Sequence, residues 1–413
     1  MSPSMAEIWR VFGRIGMLSF GGPAAQIALM HKELVEDRPW MSEKQFLGAL
    51  SFCMLLPGPE AMQLATYSGW RMKGILGGLI AGLLFVVPGA VVILLLAILY
   101  VNYGTLPAVQ AAFIGIKAAV VIVVLQALWK VSNKALKRPS SWVLAALAFV
   151  AIYVAQVPFP LIVAAAALFG AMIGPAQAAT QSSIALPRKE NTLPTLAIWL
   201  ALWAAPVAVV ALIDHSFLTD IALFFSKLAV VTFGGAYAVL AYMTQTVSVE
   251  HGWITTAQMI DALGLAETTP GPLILVTEFV GLLAGYQQGG IGLMLLAGIL
   301  TLWCTFTPCF LWIFAAAPYV EWLLDQPRLK GALEAITSAV VGVILNLSIW
   351  FALHVLFAEI SVTQFGALPV WCSFQPIAFG LLLIAAVLLI WRKMSLPLVL
   401  LIAALLGLGS HFL

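Results

Sequence analysis

The sequence predicts an all-α polytopic membrane protein of about thirteen transmembrane elements, arranged six, one, six as an inverted repeat with broken helices. Three observations carry this reading. Hydrophobic residues make up 63% of the 413-residue chain and charged residues only 9%, against about 25% charge in a soluble domain. Ser19-Phe20-Gly21-Gly22, Trp40 and Pro57-Gly58-Pro59 recur as Thr232-Phe233-Gly234-Gly235, Trp253 and Pro270-Gly271-Pro272, at a constant offset of 213 residues (22 to 235, 40 to 253, 57 to 270). Both copies place Gly and Pro clusters inside very apolar sequence, where a plain membrane helix would avoid them.

Apolar spans of about 20 residues mark the elements. In the first half they cover roughly 7–30, 43–68, 73–102, 107–130, 141–157 and 160–175. A lone span follows at about 193–213. The second half gives roughly 220–247, 257–285, 290–317, 328–357, 376–391 and 396–412. The same division sets the domains: a first repeat at 7–176, a linker and extra helix at 177–219, and a second repeat at 220–412. Within the best window Ala25, Ala28, Met30, Gln45, Ala49 and Leu50 recur as Ala238, Ala241, Met243, Gln258, Ala262 and Leu263. Further on, Lys117-Ala118-Ala119-Val120-Val121 stands where the second copy has Ser338-Ala339-Val340-Val341-Gly342, and Phe159-Pro160-Leu161 where it has Leu396-Pro397-Leu398.

Basic loops orient the chain, because cytoplasmic loops carry the Lys and Arg excess. Arg71 and Lys73, then Lys130, Lys134, Lys137 and Arg138, then Arg188 and Lys189 follow the second, fourth and sixth elements of the first copy. In the second copy Arg328 with Lys330 and Arg392 with Lys393 follow the third and fifth. The charge phase flips, so the second copy is expected upside down, with the N-terminus cytoplasmic and the C-terminus outside. The loop at 31–44 resists: Lys32, Arg38 and Lys44 would lie outside, although Glu33, Glu36, Asp37 and Glu43 leave it net acidic. Re-entrant first and second elements would remove the conflict and keep the inversion.

The net charge of +2 and the loop placement of the cations argue against a nucleic-acid partner. The segment Met1 to Met17 carries Glu7, Arg10 and Arg14 and lacks a cleavage-site pattern, so no removed signal peptide is expected. Cys53, Cys304, Cys309 and Cys372 form no CxxC pair, and His31, His215, His251, His354 and His411 are scattered, so no metal and no cofactor is expected.

The chemistry centres on the breaks. A helix interrupted in a membrane must face protein or a watery cavity, and a half-helix start offers free N–H groups and a positive dipole end to an anion. Gly21, Gly22, Gly58, Gly234, Gly235 and Gly271 are therefore candidate anion contacts, with Pro57, Pro59, Pro270 and Pro272 as the helix breakers. Close helix packing is the competing use of the glycines. Ser19 and Thr232 offer hydroxyls. Arg14 and Lys227 sit at the same offset, each five residues before its Phe-Gly-Gly cluster's Ser or Thr. Two readings fit them: a symmetric clamp on a dianion, or snorkelling near a helix end. Lys117 lies near the middle of its span, where a charge is functional by default or is paired with a carboxylate such as Glu60 or Glu278. Those two carboxylates are candidates for proton coupling; Glu60 alternatively caps a half-helix.

At these residues the chain resembles the chromate transporter (CHR) family in its long, two-copy form. The likeness rests on Phe12-Gly13-Arg14 leading to Ser19-Phe20-Gly21-Gly22-Pro23, on Leu56-Pro57-Gly58-Pro59-Glu60-Ala61-Met62-Gln63, on Gly69-Trp70-Arg71 through Gly82 to Pro88-Gly89, and on the second-copy run from Thr232 to Pro272. The second copy departs at Ala236 and Leu273, which replace Pro23 and Glu60. The resemblance implies export of the chromate dianion across a bacterial inner membrane by the proton-motive force, with sulfate as competitor or alternative substrate; the apolar composition implies the lipid bilayer as surroundings, and a homodimer is a compatible assembly. A chromate-reducing enzyme and a channel are the rival classes; the first lacks a redox motif, and saturable transport would separate the second.

Overall fold

The computed structural model describes residues 3–173, 192–233, 236–324, 326–363 and 366–410. Among these the chain forms sixteen α-helices. It also forms one antiparallel hairpin absent from the all-α expectation, β1 (Ile360–Thr363) with β2 (Gly366–Pro369), Ile360 opposite Pro369. Five segments are long and apolar enough to cross a membrane: α4 (Glu60–Tyr103), α5 (Pro107–Ala135), α8 (Thr192–Leu212), Leu273–Tyr319, which contains α12 (Val276–Ala316), and α14 (Pro327–Leu356).

Two of these long segments reverse direction internally. In α4 the backbone leaves the helical region at Lys73 and Gly74, and in α12 at Gly289 and Gly290, with nearly the same angles: φ is 64° at Gly74 and 72° at Gly290. Glycine suits these positions because a Cβ is strained at positive φ. A Cβ on Gly69 would strike the Gly77 carbonyl and Ala81, and one on Gly285 would strike the Leu293 carbonyl and Ala297. Residues eight apart in a straight helix are about 12 Å apart, so each contact requires the chain to fold back. The spans read at 43–68 and 73–102, and at 257–285 and 290–317, meet at these two turns.

The elements before the turns are short. α1 (Met5–Leu18), α2 (Gly22–His31), α3 (Glu43–Cys53), α9 (Ser216–Val231), α10 (Ala236–Gln245) and α11 (Thr256–Thr268) run 10 to 16 residues, about 15–24 Å, against a hydrocarbon core of about 30 Å. The elements read at 7–30 and 220–247 are thus pairs of short helices, the first of each pair ending beside Ser19 or Thr232, where the broken-helix reading expects an interruption. The repeated residues have local jobs. Trp40 and Trp253 turn their backbone N–H groups onto the carbonyls of Leu34 (3.1 Å) and Val247 (2.9 Å). Gln45 and Gln258 close reciprocal caps with Ser42 and Thr255, a pairing that satisfies donors at a helix start.

The chain groups into two compact units, each drawn from both copies. The first contains residues 1–97, 175–236 and 269–329. Here α8 and α9 pack on α12. The unpaired helix α8 is pinned by Trp203 Nε1, which donates to Ser226 Oγ at 3.1 Å, and by Trp303 Nε1, which donates to the Leu202 carbonyl at 2.8 Å. Gly16 lets α1 approach the Leu84 carbonyl, which Pro88, four residues on, cannot bond. Phe12, Phe46, Phe52, Phe85, Phe225 and Phe279 fill its interior.

The second unit contains residues 98–174, 237–268 and 330–413. Its centre is α5, flanked by α15 (Pro376–Ala386), α16 (Leu396–Ser410) and α11. Gly115 and Gly407 let α5 and α16 touch backbone to backbone, the small-residue packing that holds helices together where lipid offers no hydrophobic drive. Gly170 of α7 (Phe159–Ile173) meets Gly331, and Gly342 meets Ala145 of α6 (Pro139–Tyr153).

Candidate functional site

The four breaks divide into two crossed pairs inside the first unit. The Gly58 N–H donates to the Thr232 carbonyl at 2.8 Å, and the Gly271 N–H donates to the Ser19 carbonyl at 2.9 Å. Because 58 and 271, like 19 and 232, are equivalent positions, each copy completes the other's break. The sequence makes this local shape twice. Ser19 and Thr232 end α1 and α9 with matching non-helical backbone, φ −77° and −76°. Their hydroxyls donate to Ile15 O and Leu228 O, both at 2.6 Å. Their carbonyls are then turned out of the helix, where an amide from the opposite copy can reach them. Gly58 and Gly271 sit at φ 122° and 88°, and their flanking prolines remove competing N–H donors.

The long second arms press on the same loops, again crosswise. A Cβ on Gly89 would collide with the Pro270 carbonyl, and one on Gly58 would lie 2.9 Å from Cys309 Sγ. Gly89 and Cys309 directly follow Pro88 and Pro308, the prolines inside α4 and α12. Two glutamines brace the loops from the first copy alone. Gln26 Nε2 donates to Gly271 O at 2.7 Å and to Ser19 O at 3.3 Å; Gln63 Nε2 donates to Pro57 O at 2.7 Å.

The candidate residues fall into distinct places. Gly58 and Gly271 are at the crossings, but their amides are committed to carbonyls, and the Ser19 and Thr232 hydroxyls to their own helices. Two helix starts, where backbone N–H groups lack intrahelical acceptors, lie beside the crossings: that of α2, at Gly21 and Gly22 (φ 84° and 79°), and that of α4, which follows Pro57, Gly58 and Pro59. Gly234 and Gly235 lie outside the described residues. Arg14 is 59% exposed and bridges to buried Glu33 at 3.4 Å; Arg38 pairs with the same carboxylate. Glu33 thus offsets Arg38, one of the three cations of the 31–44 loop, together with Arg14. Lys227 is exposed. Glu60 opens α4. Glu278 is buried in α12, with no donor to its Oε2 among the described residues.

Lys117 belongs to the second unit, and its carboxylate is neither Glu60 nor Glu278. Its Nζ lies 2.8 Å from Asp261 Oδ1, while the Tyr100 hydroxyl donates to Asp261 Oδ2 at 2.7 Å. Asp261 was not among the sequence candidates, although a carboxylate inside an apolar span is the same signal that singles out Lys117. The positions equivalent to this pair, Gly48 and Ser338, carry no charge. A second overlooked carboxylate, Glu267, is buried and accepts from the Tyr237 hydroxyl at 2.9 Å. Outside the apolar segments, His31 bridges Glu36 (3.1 Å) and Glu43 (2.6 Å) through its two ring nitrogens. The Glu43 hydrogen bond is the main reason its pKa is raised.

Duplicated halves, interrupted helices and several long apolar segments place the chain in the class of multi-pass membrane proteins, an architecture common among transporters. The chain belongs to the chromate transporter family, which it matches over residues 6–171 and again over 219–408. It is similar to a chromate transport protein of Pseudomonas aeruginosa, 32% identical over 83% of this chain and 79% of that protein. It is likewise similar to a probable chromate transport protein of Synechococcus elongatus, 30% identical over 83% of each chain. A chromate transport protein of Cupriavidus metallidurans is 28% identical over 99% of this chain and 94% of its own length. No solved structure matches the chain.

Proposed function

We propose that this protein is a secondary transporter that exports chromate from the bacterial cytoplasm and so confers chromate resistance. The observation that carries the reading is the reciprocal pair of hydrogen bonds, Gly58 to Thr232 and Gly271 to Ser19. It brings interrupted backbone from both copies together, the arrangement in which inverted-repeat transporters place an ion. In this reading the copies are inverted, the N-terminus is cytoplasmic and the C-terminus is periplasmic. Arg14 and Lys227 draw the anion in, the starts of α2 and α4 hold it, and Glu60 and Glu278 carry protons. The crossed amides of Gly58 and Gly271 hold the breaks in shape. Moving one charge through about 100 mV is worth roughly 2.3 kcal/mol, so an inside-negative potential assists departure of the anion by about that amount for each negative charge it carries.

Inverted membrane vesicles containing the protein test this. They should accumulate chromate when energised, in a saturable manner and with the chromium still hexavalent. Vesicles with inserted protein and no chromate uptake refute the reading. Uptake of sulfate in preference to chromate transfers it to another tetrahedral oxyanion.

A further inference from the structure

Gln26 and Gln63 are 1% and 0% exposed, and each has one half of its amide accounted for. The side-chain N and O of a glutamine are told apart only by their partners. Here the partners decide. Gln26 Nε2 faces two carbonyl oxygens, those of Ser19 and Gly271, and Gln63 Nε2 faces that of Pro57. Flipping either amide would set oxygen against oxygen. What remains is an acceptor on each side chain, Oε1, and neither has a donor among the described residues. Buried polar atoms normally have partners, so each crossing holds an acceptor that lacks a hydrogen.

We propose that these oxygens recognise a proton on the anion, so that the site takes a tetrahedral oxyanion in its monoprotonated form, hydrogen chromate, whose O–H donates to Gln26 or Gln63 Oε1. The inference rests on the transport reading above and adds the means of telling chromate from sulfate. The two dianions share charge and shape and differ in basicity. Near neutral pH chromate coexists with hydrogen chromate, whereas sulfate stays fully deprotonated and offers only acceptors. A site built to bond a hydroxyl rejects the analogue lacking it, because its buried polar group is left unpaired; for one neutral acceptor the discrimination is about tenfold to a hundredfold. The second copy has Val239 and Val276 at the equivalent positions. The requirement is therefore one-sided within an otherwise duplicated frame, as suits an anion with a single O–H.

The test uses the intact protein in proteoliposomes with equal pH on both sides. At one neutral pH, phosphate, which keeps an O–H, should inhibit chromate uptake at concentrations about tenfold or more below those of sulfate or selenate, which have none. Competition at a single pH is blind to titration of Glu60 at the start of α4, of Cys309 against Gly58, or of Glu278 in α12. Chromate uptake should also fall by up to about tenfold per pH unit on the alkaline side, following the protonated fraction. Gln63→Met and Gln26→Met remove an acceptor at similar volume, and at least one should bring the phosphate-to-sulfate ratio towards one. Sulfate or selenate competing as well as phosphate, or uptake independent of pH, overturns the proposal and assigns water to the two acceptors. An unchanged ratio in both variants also overturns it. Absence of any chromate uptake instead fells the transport reading on which it stands. A variant that does not insert leaves the competition in the unaltered protein as the decisive measurement.

Discussion

Removing the Lys117 ammonium while leaving Asp261 in place should cost more than removing both. The two charges are 2.8 Å apart, with the side chains 23% and 10% exposed. At an effective dielectric of about 20 their Coulomb attraction is about 6 kcal/mol, much of it offset by the desolvation of each ion. Stripping one partner from such a pair typically costs about 3–5 kcal/mol, because a buried charge is stranded. Tyr100 still donates to Asp261, which puts Lys117→Met near the lower end, about 3 kcal/mol. Asp261→Asn in the same chain removes the stranded charge and keeps an acceptor for Tyr100, so the double variant should recover about 2 kcal/mol of coupling energy. Equilibrium unfolding in detergent micelles across the four-member cycle measures this. Costs that add within about 0.5 kcal/mol would refute the argument. Transport by the same variants then separates the two roles open to Lys117. Export restored in the double variant makes the pair a strap between α5 and α11. Export lost in a folded double variant makes the ammonium part of the anion's path.

Three further outcomes are expected. Gly271→Ala places a Cβ at φ 88°, 3.1 Å from Leu275 Cδ1; it should destabilise the protein by about 1–2 kcal/mol and impair transport, and export at the original rate would show that this crossing is not part of the site. Arg14→Ala should raise the chromate concentration needed for half-maximal export about tenfold with little change in unfolding, since Glu33 retains Arg38, and Lys227→Ala should raise that concentration likewise; normal transport in both would remove the clamp. His31 has a raised pKa, so its contribution is complete below its unfolded value of about 6.5 and is lost as pH rises through the folded value. The gap in melting temperature between the unaltered protein and His31→Ala should therefore narrow with increasing alkalinity, and a gap that widens would contradict the bridge to Glu43 and Glu36.

What could be read without coordinates was whatever the chain repeats or encodes locally. The Phe-Gly-Gly and Pro-Gly-Pro clusters mark interruptions because their backbone chemistry forbids a continuous helix. Even the recurrence of Trp40 and Gln45 has a short-range cause, in a turn and a cap. Length was harder. The Phe-Gly-Gly clusters mark a break inside the apolar runs at 7–30 and 220–247, but hydropathy does not say that the helices on either side are each shorter than the hydrocarbon core. Pairing was harder still. Nothing in periodicity says that the Gly58 amide meets Thr232 rather than an anion, or that Lys117 finds Asp261, because these contacts join residues more than 140 positions apart. Gln63 stands in the sequence only as the end of the Pro-Gly-Pro motif; its meaning depends on which carbonyl its amide faces.

The crossed bonds also bear on ancestry. A polypeptide with only one of the two halves would have an amide seeking a carbonyl and a carbonyl seeking an amide, and could satisfy both within protein by meeting a sibling chain. Tethering the halves replaces that encounter with a high effective concentration. It also frees each half to mutate alone, as the subunits of a heterodimer can. Glu60 against Leu273, Gln26 against Val239 and Gln63 against Val276 are differences that a homodimer of identical halves could not have acquired.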